Sequence, residues 1–221
     1  MAEGSKPQLQ TSLKLVLLGN SAVGKTSLAH AFTDGAGAGA GAAMTPFMTT
    51  LGADWVVRTL VIDKQKVKVT LWDTGGQERF HSLAPNYLRG SDGVVLCFGL
   101  DDRASFGSVG RWSKAVADAT DASKTPIVLV ANKADLPAEQ QTVAYDEGEA
   151  LAEQLGAPFY ATSARTGQNV DLAIMRLVRL ALARGRGKRA ERIETQPISA
   201  ADAPSAESLA AACGGSTCAV S

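Results

Sequence analysis

The sequence predicts an α/β fold: a six-stranded, mostly parallel sheet that is flanked by helices on both faces. Short apolar runs alternate with segments of helical periodicity, and this alternation is typical of parallel sheets whose crossovers are helices. The runs are continuously apolar, which indicates strands that are buried on both faces. A chain of 221 residues is long enough to bury such a core in one domain.

The first half of the chain supplies three predicted strands and one helix. The apolar run from Leu13 to Leu18 predicts a buried strand, and Lys25 to Phe32 predicts the helix that follows it. Trp55 to Ile62 and Val67 to Trp72 predict a strand pair, which we expect to be joined by a turn at Asp63-Lys64-Gln65.

The second half of the chain continues the alternation. Three more strands are predicted at Val94–Gly99, Ile127–Ala131 and Pro158–Ala161. Helices are predicted between them at Ala104–Ala119 and Tyr145–Leu155, and a last helix has one apolar face formed by Val170, Ile174, Leu177 and Ala181. Ligands of such sheets bind beyond the carboxyl ends of the strands, so we expect the functional residues just after each strand.

Three segments lie outside this pattern. Residues 1–12 are polar and predict a disordered N-terminus, whereas 13–183 form the predicted folded domain. Residues 35–43 read GAGAGAGAA and predict a flexible insert, and 184–221 predict a disordered tail. No signal peptide or membrane span is predicted, and a formal net charge of zero gives no overall attraction to nucleic acid, so we expect a cytosolic chain without a nucleic-acid partner.

The first strand is followed by the phosphate-loop pattern G-x-x-x-x-G-K-[ST]. It comprises Gly19, Asn20, Ser21, Ala22, Val23, Gly24, Lys25 and Thr26. Glycines let several backbone N–H groups face one anion, and the start of the next helix adds partial positive charge. We expect Lys25 to bridge the β- and γ-phosphates of a nucleotide and Thr26 to ligate Mg²⁺. The plain alternative is a glycine-rich turn between a strand and a helix.

An acidic motif follows the third predicted strand. Asp73 ends that strand and is expected to hold phosphate-bound Mg²⁺ through water. Gly76 would let its N–H group approach a γ-phosphate, and Gln77 is positioned to orient an attacking water. Alone this motif is a common turn, but its place after a phosphate loop makes it specific.

Two further motifs follow the fifth and sixth predicted strands. Asp135 is expected to accept hydrogen bonds from N1–H and the 2-amino group of guanine, which discriminates against adenine. Asn132 would brace the site, and the stem of Lys133 would cover the base. In the group Ser163-Ala164-Arg165, the N–H of Ala164 would meet the guanine O6. Each motif alone could be an ordinary turn or helix start.

With these four motifs in this order, the sequence resembles the Ras superfamily of small GTPases, and within it the Rab family. The Rab resemblance is carried by Trp72, by Thr50 to Trp55 and by Gly76 to Gly90. The phosphate loop and the segment His81-Ser82-Leu83-Ala84-Pro85 are most similar to the early-endosomal Rab subgroup. The resemblance covers residues 13–183 and implies the phosphate-loop small GTPase fold.

The resemblance also implies a reaction, a cofactor and partners. It implies slow hydrolysis of GTP to GDP with Mg²⁺, catalysed by Lys25 and Gln77 and stimulated by an activating protein. It adds Ser27 to the nucleotide site and gives Thr50 the role of the switch threonine that binds Mg²⁺. Effectors and an exchange factor are the other expected partners of a monomeric protein. The effector surface would include an aromatic triad formed by Trp55, Trp72 and Tyr87. The plain alternative is that these rings are half-buried in the packing of the sheet.

The C-terminal residues predict a lipid anchor. Cys218-Ala219-Val220-Ser221 fits the prenylation pattern C-a-a-X, and one lipid gives marginal anchoring, so a second signal is expected. Cys213 is the candidate for acylation, and basic residues after the last helix are the electrostatic candidate. These features predict the cytoplasmic face of an intracellular membrane, with an endosome suggested by the subgroup, and a cytosolic pool.

Several positions depart from the pattern of the family. Gly75 stands where most relatives have alanine. Ala43 stands at the spacing of the phenylalanine that packs on guanine in the family, and the nearby Phe47 is the candidate to substitute for it. The strand end from Phe98 to Asp101 also lacks the usual aromatic-aspartate pair. Two other functions stay open on the sequence alone. One is a binding scaffold that does not hydrolyse GTP, and the other is an ATP-dependent kinase or ATPase.

Overall fold

The computed structural model describes residues 11–34, 53–74, 84–121, 124–185 and 187–189. Its strands are β1 (Thr11–Leu18), β2 (Ala53–Ile62), β3 (Gln65–Thr74), β4 (Gly93–Gly99), β5 (Ile127–Asn132), β6 (Phe159–Ala161) and β7 (Lys188–Arg189). Its helices are α1 (Lys25–Asp34), α2 (Ala84–Leu88), α3 (Arg103–Gly107), α4 (Val109–Ala119), α5 (Tyr145–Gln154) and α6 (Val170–Ala183), with a 3₁₀ turn at Ala138–Gln140.

The sheet has the order β2-β3-β1-β4-β5-β6 and is mostly parallel, which confirms the predicted fold class. Only β2 is antiparallel to its neighbour within this path. The parallel register pairs Leu17 with Asp73, and Gly99 with Asn132, so the carboxyl ends of four strands lie at one edge of the sheet. The loops after these strands are the ones that carry the predicted motifs.

A tight hairpin joins β2 to β3. Its loop consists of Asp63 and Lys64, whose φ angles of 48° and 66° lie in the left-handed region. Two consecutive positive φ angles match the right-handed twist of the flanking strands, which is why two-residue hairpins adopt them. The turn is thus one residue shorter than predicted, because Gln65 already pairs with Ile62 in the sheet.

Two apolar layers cover the two faces of the sheet. On one face, α1 and α6 pack through residues such as Phe32 and Leu177, which are fully buried. On the other face, α4 contributes Trp112 and Val116, and the strands contribute Phe98. Alternate residues of each strand point to opposite faces, so the continuous apolar runs of the sequence fill both layers. The apolar face predicted for the last helix is buried as expected.

The structure divides the predicted helix at Ala104–Ala119. Ser108 separates α3 from α4, and its hydroxyl donates to the carbonyl of Ala104 at 2.9 Å. A serine that bonds back to a carbonyl four residues earlier often bends a helix. The periodicity of the sequence does not reveal this break, because apolar residues that pack on one layer stand on both sides of it, Phe106 before Ser108 and Val109 and Trp112 after it.

The structure also extends the folded domain beyond both predicted boundaries. β1 begins at Thr11, inside the segment predicted to be a disordered N-terminus, and β7 pairs antiparallel with it. Asp92 holds this region together, because its carboxylate accepts the N–H of Lys14 at 2.9 Å and the N–H of Gly187 at 3.3 Å. The sheet therefore includes residues 11–12 and 188–189, which lie beyond the predicted domain boundaries, whereas residues 1–10, the insert at 35–43, residue 186 and 190–221 lie outside the described residues.

None of the helices that the structure describes combines the length and the apolar character that a membrane span requires.

Candidate functional site

The phosphate loop depends on two glycines. Gly19 has a φ of 148°, and a Cβ atom there would collide with the carbonyl oxygen of Cys97 on β4. Gly24 has a φ of 94°, and its Cβ would collide with the side-chain amide of Asn132. The loop therefore lies directly against the ends of β4 and β5, at a distance that only glycine permits. Ala22, between them, also has a positive φ of 61°.

Lys25 is buried at the start of α1. Its Nζ donates to the carbonyl of Gly19 at 3.0 Å and to the carbonyl of Asn20 at 2.7 Å. Burial lowers the pKa of this ammonium, although the nearby Cys97 and Asp73 side chains act in the opposite direction. The loop thus wraps around a desolvated cation, whose attraction for an anion is stronger than that of a solvated lysine.

Thr26 and Asp73 come together from α1 and β3. The hydroxyl of Thr26 donates to Oδ2 of Asp73 at 2.5 Å. Oδ1 of Asp73 is buried and has no hydrogen-bond partner among the described residues. Burial raises the pKa of this carboxyl, which the Thr26 hydrogen bond and the Lys25 charge partly offset. A buried carboxylate oxygen of this kind is costly to the free protein and indicates a cationic ligand.

These two side chains fit a magnesium ion. Mg²⁺ takes oxygen ligands and commonly uses one or two protein oxygens, with waters and substrate phosphates completing an octahedron. Thr26 supplies a hydroxyl oxygen and Asp73 a carboxylate oxygen, next to the loop that surrounds Lys25. Among the described residues no group of three or more His, Cys, Asp or Glu side chains could hold a metal ion.

Asn132 connects the phosphate loop to the loop after β6. It is buried, and its Nδ2 donates to the carbonyl of Val23 at 2.8 Å. Its Oδ1 accepts the N–H of Ala164 at 3.1 Å and the hydroxyl of Thr162 at 3.3 Å. One amide side chain therefore joins three segments that are far apart in sequence, and it can do so because an amide both donates and accepts.

The carboxylate of Asp135 lies beside the same loop. Its Oδ1 accepts the hydroxyl of Ser163 at 2.5 Å, and its Oδ2 forms an ion pair with Nε of Arg165 at 2.7 Å. The Asp135 side chain is only 12% exposed, whereas that of Arg165 is 65% exposed. Ser163 thus orients a largely buried acceptor, and the exposed arginine lies on its solvent side. The guanidinium of Arg165 donates to Asp135 from the side on which the N–H groups of a guanine base would donate to it.

Lys133 lies between Asn132 and Asp135 and has an unusual backbone. Its φ is 68°, a left-handed value that residues with a side chain rarely adopt. Its Nζ forms an ion pair with Oδ2 of Asp101 at 2.7 Å. Strain of this kind is found at ligand sites, where surrounding contacts hold the residue in place.

The aromatic residues predicted for an effector surface lie on three elements, β2, β3 and α2. Trp55 on β2 is 56% exposed, and its ring centroid lies 5.4 Å from that of Trp72 on β3. The ammonium of Lys14 lies 4.9 Å from the Trp72 ring centroid, within cation–π range. Tyr87 on α2 is partly buried and packs on the apolar layer that contains Phe98. Trp72 and Tyr87 are therefore half-buried, and Trp55 is the exposed member.

Several predicted site residues lie outside the described residues, and their roles stay predictions. They are Thr50, Gly75, Gly76, Gln77, Cys213 and Cys218, together with Ala43 and Phe47 of the segment before Thr50. Of the described ones, Ser21 is partly exposed and Ser27 is exposed at the start of α1. The structure thus assembles the phosphate-loop and base-motif residues, and it describes Asp73 from the acidic motif.

Two contacts of the site were missed by the sequence analysis. Asn20 accepts the indole N–H of Trp112 at 2.9 Å and donates to the hydroxyl of Ser108 at 3.1 Å, which fastens the phosphate loop to α4. Asp101 pairs with Lys133, as described above. The unusual strand end at Phe98 to Asp101 was a sequence signal for the second contact only. Neither pairing follows a spacing rule, because the partners are brought together by the sheet.

The chain is similar to one family model and to several known proteins. The model of the Ras family matches residues 14–183. The chain is 36% identical to the Ras-related protein RABE1e of Arabidopsis thaliana, over 76% of this chain and 73% of that protein. It is 38% identical to the GTP-binding protein ypt2 of Schizosaccharomyces pombe (76% and 80%). It is 35% identical to the Ras-related protein SEC4 of Saccharomyces cerevisiae (81% and 79%).

Removal of the Asn132 amide tests how the site is held together. Asn132→Ala leaves the buried hydroxyl of Thr162, the buried carbonyl of Val23 and the partly buried N–H of Ala164 without this partner. We expect the free energy of unfolding to fall by about 2–4 kcal/mol, measured by urea denaturation. Gln168→Ala, at an exposed position of the adjoining loop, is the control and should change it by less than about 0.5 kcal/mol. Equal effects of the two variants would contradict the bridging role.

Proposed function

The chain belongs to the Ras family of small GTPases, and from this premise we propose that it is a Rab-type switch that controls vesicle traffic. As a member of this family it binds guanine nucleotide and hydrolyses GTP to GDP and phosphate. We propose that the GTP-bound form recruits effectors at a membrane and that hydrolysis ends this recruitment. The chain would then act as a timer whose output is binding rather than product.

One observation carries the proposal: the described phosphate, metal and base residues lie at one edge of the sheet and are bonded to one another. Lys25 is wrapped by the phosphate loop, Thr26 is bonded to Asp73, and Asn132 joins that loop to the loop of Ala164. A nucleotide with its phosphates at Lys25 and its base at Asp135 would contact all of these segments. The site therefore suits a magnesium-bound guanine nucleotide.

We propose that hydrolysis depends on positioning and charge rather than on a covalent nucleophile. Lys25 and the N–H groups of the phosphate loop would bind the β- and γ-phosphates and stabilise the charge that develops there. Thr26, Asp73 and the switch residue Thr50 would hold Mg²⁺, which neutralises phosphate charge when it is bound. Gln77 would orient the attacking water. An activating protein would supply the groups that are still missing from this constellation.

We propose that effectors bind at the exposed Trp55 ring and the adjacent Trp72. Trp72 directly precedes Asp73 on β3, so the proposed effector surface and the proposed metal site share one strand. Tyr87 would border this surface from α2. Exposed aromatic rings are frequent anchors in protein interfaces, because they bury a large area at a low cost in side-chain entropy.

We propose that a prenyl group on Cys218 tethers the protein to the cytoplasmic face of an intracellular membrane. An acyl group on Cys213 or the basic residues after α6 would supply the second anchoring signal. The RABE, ypt and SEC4 relatives give no support to the predicted early-endosomal subgroup. We therefore propose a role in vesicle traffic in general, with an exchange factor and an activating protein as partners, and we do not retain the endosome.

Gln77→Leu tests the role of the water-positioning residue. Leucine cannot accept or donate a hydrogen bond, so we expect single-turnover phosphate release to slow by about tenfold, which corresponds to ~1.4 kcal/mol of transition-state stabilisation. The dissociation constants of GDP and GTP should stay unchanged and serve as the control. Phosphate release at the rate of the unsubstituted protein would show that Gln77 has no part in the reaction.

Asp135→Asn tests the base site. The substitution replaces an acceptor oxygen by a donor, so we expect GDP affinity to fall by about 100-fold or more and preference to shift towards xanthosine diphosphate. Competition against a fluorescent nucleotide measures both affinities. Asp118→Asn on α4 removes the same charge from an exposed ion pair and is the control. An Asp135→Asn protein that still prefers GDP would place the base elsewhere.

Cys218→Ser tests the membrane tether. The variant cannot be prenylated at the C-a-a-X position, so we expect it to move from the membrane pellet to the soluble fraction when cells are fractionated. Cys213→Ser should only weaken membrane association, because it removes the second signal and leaves the first. A Cys218→Ser protein that remains in the pellet would show that the anchor lies in another part of the chain.

A further inference from the structure

The ends of β4 and β5 bring an acidic side chain to the lysine of the base motif. Gly99 pairs with Asn132 in the sheet, and Asp101 and Lys133 lie just beyond this pair. Nζ of Lys133 donates to Oδ2 of Asp101 at 2.7 Å, and the two side chains are 30% and 33% exposed, respectively. The ion pair is partly withdrawn from solvent, so it is screened less than a fully exposed pair.

Lys133 is held at its backbone as well as at its ammonium group. Its φ of 68° is kept in place by the neighbours on either side. Before it, Asn132 is bonded to Val23, and after it, the N–H of Ala134 donates to the carbonyl of Thr162 at 2.9 Å. The aliphatic stem therefore runs between two fixed points, and Asp101 supplies the outer one.

Gly99 provides the space that the Asp101 carboxylate occupies. A Cβ atom at position 99 would lie 2.5 Å from Oδ1 of Asp101. The N–H of Gly99 donates to the hydroxyl of Ser105 at 3.1 Å, so the strand end is itself fixed and the carboxylate would have to move. Gly99 is not in the left-handed region, so alanine would fit the backbone there, and only the space is special to glycine.

We propose that Asp101 is a positioning residue for nucleotide binding: through its ion pair it fixes the stem of Lys133 over the guanine ring and slows nucleotide release. This inference rests on the proposed placement of Lys133 against the base. It explains the unusual strand end, because the missing side chain at Gly99 and the acid at Asp101 are two halves of one arrangement. A stem that covers the face of a ring does not contact its edge, so loss of this ion pair should accelerate the release of guanine and hypoxanthine nucleotides by the same factor.

The test compares nucleotide release from full-length variants. We expect Asp101→Asn to release fluorescently labelled GDP about fivefold faster than the unsubstituted protein at low salt, and labelled IDP faster by the same factor. The difference should shrink as the salt concentration rises, because an ion pair is screened. Asp118→Asn removes the same charge from the Lys114–Asp118 pair on α4 and should leave both release rates unchanged.

Gly99→Ala provides a second variant in which every charge is retained. Its methyl group displaces the Asp101 carboxylate, so release should accelerate as in Asp101→Asn. In an Asp101→Ala background, Gly99→Ala should add nothing, because no carboxylate remains to be displaced. The double variant thus separates an effect through Asp101 from general damage to the end of β4.

Three results would overturn the inference. They are unchanged release from both single variants, an undiminished effect of Gly99→Ala in the Asp101→Ala background, and a changed ratio of GDP to IDP release in Asp101→Asn. The last result would assign Asp101 to recognition of the base edge. Failure of the proposed function would look different, because the unsubstituted protein itself would then retain neither GDP nor IDP.

Discussion

The parallel register around β1 is the constraint on which the rest of the structure depends. β1 lies between β3 and β4, and its pairing places Leu17 beside Asp73 and Leu18 beside Leu96. Because side chains alternate between the two faces, a shift of one residue would move every apolar side chain of β1 to the wrong layer. The buried layers therefore fix the register, and the register fixes where the loops that follow these strands can lie.

Several features of the site at this edge lower the stability of the ligand-free protein, and the packing of the core has to offset this loss. Lys25 is a buried ammonium, Asp73 is a buried carboxyl with a raised pKa, and Ala22 and Lys133 have left-handed backbones. Each feature costs the free protein stability, since burial disfavours a charge and positive φ crowds a Cβ atom. A ligand that carries phosphates and a divalent cation relieves the two electrostatic costs, so its binding stabilises the fold.

The sequence was sufficient for the positions of strands β1 to β6 along the chain and for the loops that carry the motifs, because apolar runs and phosphate-loop glycines are local signals. It was not sufficient for contacts between distant side chains. The bond from Trp112 to Asn20 and the ion pair of Asp101 with Lys133 depend on which strands become neighbours. The pairing of β7 with β1 was missed for a different reason. A strand of two residues is too short to show any periodicity in the sequence.

The bonds of Asn132 also limit where a nucleotide-dependent change can occur. Because one amide ties Val23 to Ala164, the phosphate and base halves of the site move as a unit rather than against each other. A conformational change that depends on the terminal phosphate of the nucleotide must then occur in segments outside this unit. β3 offers such a route, since Asp73 lies on the face of the sheet that α1 covers and is bonded to Thr26, whereas the preceding Trp72 packs on the opposite layer. One residue along an extended strand thus connects the proposed metal carboxylate to the proposed effector surface.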